Sequence, residues 1–79
     1  MMSFIKIQLV DGISVNGIIS VIGDDDMEYV VINKNKIIAL VINNENYEIS
    51  LLLTKGRYVD LSFNKLINEF YRVERELVS

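Results

Sequence analysis

Residues 3–22 read SFIKIQLVDGISVNGIISVI, and the reading of this stretch decides the fold. Ile5, Ile7 and Leu9 alternate with Lys6 and Gln8, a period of two that sends one row of side chains to a buried face and the other to water. After Asp11-Gly12 the apolar residues resume at Ile13 and Val15. Asp-Gly between two alternating runs is the strongest short hairpin signal, because both residues tolerate the positive φ of a type I′ turn. A first hairpin is therefore expected here. In its second arm Val15, Ile19 and Val21 share one face while Ile18 and Ile22 sit on the other, so both faces of that arm are apolar.

Outward from this hairpin, apolar runs and short polar clusters alternate at nearly even intervals. The clusters are Gly23 to Asp26, Asn33 to Asn35, Asn43 to Asn46 and Lys55-Gly56. Counting the two arms of the hairpin, six strands are expected, over residues 3–10, 13–22, 27–32, 36–42, 47–54 and 57–61. Abundant Ile and Val favour strands throughout. The period then changes. From Ser62, a plausible N-cap, Phe63, Leu66, Phe70, Val73 and Leu77 recur at steps of three and four, which predicts an amphipathic helix to Val78. Ile67 and Tyr71 widen its apolar stripe on one flank, and Glu69, Arg72 and Glu76 are spaced for pairing on the helix surface.

The expected fold class is mainly β (α+β): a curled antiparallel sheet or small barrel of five to six strands with one C-terminal helix. A single domain is expected over residues 1–79, divided into a β-meander (1–61) and the helix (62–79). The chain has 79 residues, and a domain of this size buries only about 60% of the surface its unfolded form exposes. Yet 51% of its residues are hydrophobic. Residues 30–32, 37–42 and 51–53 are unbroken apolar runs, which implies burial on both faces, while one helix covers only one. Either the sheet closes into a barrel or a second subunit covers the remainder. A homo-oligomer is expected, with Ile18, Ile22, Ile67 and Tyr71 as interface candidates.

Composition removes several chemistries. There is no cysteine and no histidine, which excludes disulfides, thiol nucleophiles and the commonest metal ligand and neutral-pH acid/base. Asp24-Asp25-Asp26 is the one dense acidic cluster, but three consecutive carboxylates lack the alternate spacing of a calcium loop and read as a wet turn. No nucleophile constellation, phosphate loop or dinucleotide fingerprint is present. The sequence therefore predicts a non-enzymatic protein with no cofactor and no metal site. Eight basic against eleven acidic residues give a net charge of −3, unlike a duplex-DNA binder, whose affinity comes from neutralising phosphates. The longest uninterrupted apolar run is too short to span a bilayer, so no membrane association is expected and the cytoplasm is the default location.

In an up-and-down meander, alternate turns gather at the same end of the sheet. That arrangement collects Asp11, Lys34, Lys36, Lys55 and Arg57 at one end and Asp24, Asp25, Asp26 and Glu45 at the other. Lys34, Lys36, Lys55 and Arg57, with Tyr58 beside them, form a candidate site for a small anionic, nucleotide-like ligand or for RNA. The plainer reading is that turns are charged because they are wet.

The string IQLVDGISVNGII at residues 7–19 resembles the first motif of the Sm-like family, in particular its bacterial Hfq branch, with Gly12 and Gly17 at the turn and bend positions. The resemblance implies a small barrel that assembles into a ring and binds RNA. Residues 34–42 resemble that family's later strands, although Lys34 and Lys36 stand where the bacterial members carry an RNA-contacting Tyr and His. Residues 29–70 resemble instead the β-meander and helix of FlbD-type flagellar proteins and of the front of LytTR DNA-binding domains, whose base-reading segment has no counterpart here. The two resemblances overlap at residues 34–42, where only one can describe the chain. The function expected from the residues is that of a small homo-oligomeric regulator or inhibitor, acting on a protein or a small anionic ligand. The alternative is an Sm-like RNA binder.

Overall fold

The computed structural model describes residues 3–17, 22–23 and 28–78, and of Ile22 the backbone only. Seven strands and one α-helix, with two short 3-10 turns at Lys34–Lys36 and Thr54–Gly56, are found among these residues. They are β1 (Phe4–Gln8), β2 (Ile13–Gly17), β3 (Ile22–Gly23), β4 (Glu28–Asn33), β5 (Ile37–Asn43), β6 (Glu48–Leu53), β7 (Tyr58–Phe63) and α1 (Ile67–Val78). The fold is mainly β, with all pairings antiparallel. Three strands form one sheet in the order β1-β4-β3, and four form a second in the order β2-β7-β6-β5. The described strands form no closed barrel.

The first hairpin does not form. Asp11-Gly12 does turn the chain, with the Ile13 amide donating to the Val10 carbonyl at 3.0 Å. Its two arms then part, β1 pairing with β4 and β2 with β7. The backbone gives the reason. Gly12 has φ +97° but Asp11 is not in the positive-φ region, so this turn lacks the two left-handed residues of type I′. Turns without the primed geometry splay the strands they join, and this one delivers them to different sheets. Gly12 is required there for a second reason, since a Cβ at that position would lie 2.6 Å from the Lys65 Cβ.

The long second arm is described at its two ends only, because residues 18–21 lie outside the described residues. β2 ends at Gly17, which has φ +136° and lies so close to its neighbour that a Cβ would sit 2.2 Å from the Tyr58 carbonyl oxygen. The other described end, β3, pairs in the other sheet. Among the described strands only β3-β4, β5-β6 and β6-β7 pair as consecutive elements, so the simple meander holds from β5 to β7, while β1 and β2 pair with distant strands.

One core joins the two sheets and the helix. Ile5, Ile7, Val30 and Ile32 come from the three-stranded sheet, Ile13, Ile49, Leu51, Val59, Leu61 and Phe63 from the four-stranded one, and Phe70 and Val73 from α1. Tyr47 and Phe63 meet the Phe70 ring edge-on, with centroids 5.5 and 5.9 Å away. The helix begins at Ile67 rather than Ser62. Phe63 fits the alternation Val59, Leu61, Phe63 as well as it fits the helical spacing, and β2 and β6 both offer Ser62 a strand partner. Pairing on two sides extends β7 to Phe63.

Candidate interaction surface

The four-stranded sheet has one face in the core and one outside. On β6, Ile49 and Leu51 point inward, and on β7 so do Val59, Leu61 and Phe63. The intervening residues line the outer face, and the strand register orders them in rows. Asn43, Glu48, Ser62 and Ser14 make the first row, and Val41, Ser50, Asp60 and Asn16 the second. Ala39, Leu52 and Tyr58 make the third. The face is thus polar at one end and apolar at the other. Ile38 is the extra residue of a bulge between Ile37 and Ala39. With Val41 it is the most exposed of the large apolar side chains, at 63% and 65%.

The unbroken runs at 37–42 and 51–53 therefore do not mean burial on both sides within this chain. Within them Ile38, Ala39, Val41 and Leu52 are exposed on the outer face. These residues carry the most extensive exposed apolar surface on the sheet, and reasoning from sequence missed them as individual positions. The signal was present in the runs themselves, which lack the polar alternation of a one-sided strand.

The candidate anion residues separate into two groups. Lys36, Lys55, Arg57 and Tyr58 lie at the apolar end of the four-stranded sheet. There Ile37 pairs with Leu53, Leu52 pairs with Tyr58, and the Leu53 amide donates to the Arg57 carbonyl at 2.7 Å. Lys55 and Gly56, with φ +66° and +71°, form the tip of the β6-β7 turn. Lys34 shares the turn of Lys36, but its Nζ donates to the Glu76 carbonyl at 3.1 Å, where a cation also complements the negative end of the helix. Asp11 does not join the basic group. Ile13 pairs with Phe63, which places Asp11 at the opposite end of the sheet, the end of the β5-β6 turn that carries Glu45.

Ile18 and Asp24 to Asp26 lie outside the described residues, as does the side chain of Ile22. Ile67 and Tyr71 are exposed on the flank of α1, as their helical positions predict. Ile67 also borders an open depression of about 680 Å³ between the start of the helix and residues Gln8, Val10 and Ile13. The inner flank of the helix is held by Arg72. Its guanidinium pairs with both oxygens of Glu69, donates to Glu76 at 2.8 Å, and donates to the Lys6 carbonyl at 3.1 Å. The forked bond from Arg72 holds the Glu69 carboxyl below the usual carboxylate range against the opposing effect of burial. The same bond raises the Arg72 pKa. This expected helix-surface network is structural, because it ties α1 to β1.

Among the described residues no group of three or more carboxylates is placed to hold a metal ion, and no helix is long and apolar enough to cross a membrane. No protein-family model, curated protein or solved structure matches the chain.

Proposed function

We propose that this protein acts by binding rather than by turnover, as a small cytoplasmic homo-oligomeric regulator or inhibitor. Its targets are a partner protein or a small anionic, nucleotide-like ligand. The observation that carries this reading is the outer face of the four-stranded sheet. Ile38, Val41, Leu52 and Tyr58 are exposed together there, and Lys36, Lys55 and Arg57 border their end of the sheet. Large contiguous apolar patches on small soluble domains mark interaction sites. An apolar centre bordered by cations suits a partner whose apolar contact is flanked by acidic groups, or a ligand with an aromatic ring and a phosphate.

The test is native mass spectrometry of the protein isolated gently from its source, with Leu52→Glu as the control. Retention of a partner or ligand by the wild type and its loss from the variant is the expected result. A wild type that carries nothing under any gentle condition overturns the reading.

One observation favours a second reading, an Sm-like RNA binder. Tyr58 is exposed directly after Arg57 and close to Lys55, the combination of stacking ring and cations that single-stranded RNA uses. Fluorescence anisotropy with a labelled oligonucleotide separates the two, since RNA affinity falls steeply with added salt and an apolar protein contact does not.

A further inference from the structure

We propose that β5 forms the two-fold interface of a homodimer, with β5 of one copy pairing antiparallel with β5 of the other to join two four-stranded sheets into one of eight. This rests on the homo-oligomer reading above and names the surface that would carry it. β5 ends its sheet, and among the described residues its strand partner is β6 alone. A free edge offers a row of unpaired amides and carbonyls, and proteins that stay monomeric block such edges with charges, prolines or a covering element. Between Ile37 and Asn43 there is no charge and no proline. The bulge at Ile38 distorts only the first residues and leaves Ala39 to Asn43 in regular pairing with β6.

The identity of the partner follows from the order of charges along the edge. Lys36 immediately precedes β5, and Glu45 follows it in the next turn. The residues between them are apolar up to Asn43. An antiparallel copy reverses this order. Each Lys36 then lies beside the Glu45 of the second copy, and the apolar centres meet, so the edge is complementary to itself. A register centred on Leu40 sets Val41 of one copy opposite Ala39 of the other. Val41 there extends the partner's outer row of Ala39, Leu52 and Tyr58, which converts two exposed apolar ends into one continuous strip. An isologous contact of this kind uses the same patch twice and closes at the dimer.

Sedimentation equilibrium of the full chain over a range of concentrations tests this. The wild type is expected to dimerise, and Val41→Lys to be monomeric with an unchanged circular dichroism spectrum, since Val41 is already exposed. Lys36→Glu and Glu45→Lys are each expected to raise the dimer dissociation constant about tenfold at low salt, each change breaking two pairs and setting like charges face to face. The double exchange is expected to return it to near the wild-type value. That recovery distinguishes a direct contact from general damage to the fold. A monomeric wild type overturns this interface and the homo-oligomer reading together. An oligomer indifferent to Val41→Lys, or one in which the double exchange adds the two single losses, overturns the β5 interface and leaves the broader reading standing.

Discussion

β1 and β5 each end a sheet, and the molecule treats their outer edges in opposite ways. Beside β1 lies α1, and Arg72 donates to the Lys6 carbonyl, so a backbone acceptor on that strand has a partner from the helix. Among the described residues no strand but β6 pairs with β5, and its exposed side chains are Ile38, Ala39, Val41 and Asn43. The helix that covers one edge is amphipathic, with Phe70 and Val73 buried and Arg72 reaching over its flank. Among the described residues there is one such helix, and the edge strands of the two sheets, β1, β3, β2 and β5, outnumber it. The uncovered edge is where another molecule is expected, which links a shortage of covering structure to a function in binding.

The strongest way to break the comparison is to detach the helix. Phe70 is fully buried against Tyr47 and Phe63, so Phe70→Ala removes the anchor that holds α1 over β1. The expected loss is about 3–5 kcal/mol, much of the stability of a domain this small, read from the urea midpoint. With the outer edge of β1 then uncovered, the variant is also expected to aggregate where the wild type does not. Gly17→Ala acts at β2, the other end of the four-stranded sheet. A Cβ there meets the Tyr58 carbonyl oxygen in a backbone conformation that L-residues avoid, and a loss of about 2–3 kcal/mol is expected. Because neither change touches β5, both are expected to act on folding and not on the properties of that edge.

Arg72→Met is a milder test of the covered edge. It keeps the aliphatic stem against the sheet and removes the bonds to Glu69, Glu76 and the Lys6 carbonyl. An expected loss of about 1 kcal/mol reflects the partial exposure of the network. The pH dependence is the sharper readout. The carboxyl pKa of Glu69 is lowered in the folded state, so its contribution is present above the unfolded carboxylate pKa and disappears as pH falls through the folded value. Wild-type stability is therefore expected to drop in that acid window, and the drop is expected to be smaller in Arg72→Met. Equal slopes for the two proteins would show that the pair does not hold the helix.

Much of this contrast is legible in the amino-acid order, and the part that is not has a physical cause. The turns at Asn33–Asn35, Asn43–Asn46 and Lys55-Gly56 read correctly because their chemistry is local. Asn33 and Asn43, for example, accept hydrogen bonds from backbone amides two and three residues on. The Glu69-Arg72-Glu76 ladder reads correctly for the same reason, since helical spacing is a property of neighbours, whereas the 51–53 run, read as buried on both faces, has Leu52 exposed, and Phe63, read as helical, closes β7. What the order of residues conceals is which strand pairs with which. Asp11-Gly12 carries the hairpin signal, but a non-primed turn and the long-range partners of β1 and β2 redirect it. That misplaced strand moves Asp11 away from the basic group, and the Lys34 bond to the helix end takes Lys34 out of it as well. Of the candidate site, Lys36, Lys55, Arg57 and Tyr58 share one end of a sheet, a placement that depends only on the β5-β6-β7 meander.

The smallest expected effect sharpens the contrast most. Leu51 and Leu52 are adjacent in a run of three leucines, and nothing in the sequence ranks one above the other. Leu51 is 2% exposed in the shared core, whereas Leu52 is 42% exposed between Ala39 and Tyr58 on the outer face. Leu51→Ala therefore belongs with Phe70→Ala, at a cost of about 2–5 kcal/mol. Leu52→Ala leaves no cavity behind, because water already reaches the side chain, and the monomer is expected to lose less than about 0.5 kcal/mol. Chemical denaturation at low protein concentration measures both. If Leu52→Ala proves as costly as Leu51→Ala, the outer face is part of the fold and has no surface to offer a partner. If it is nearly silent, so large an apolar side chain held in water contributes nothing to folding, and its use lies in what binds there.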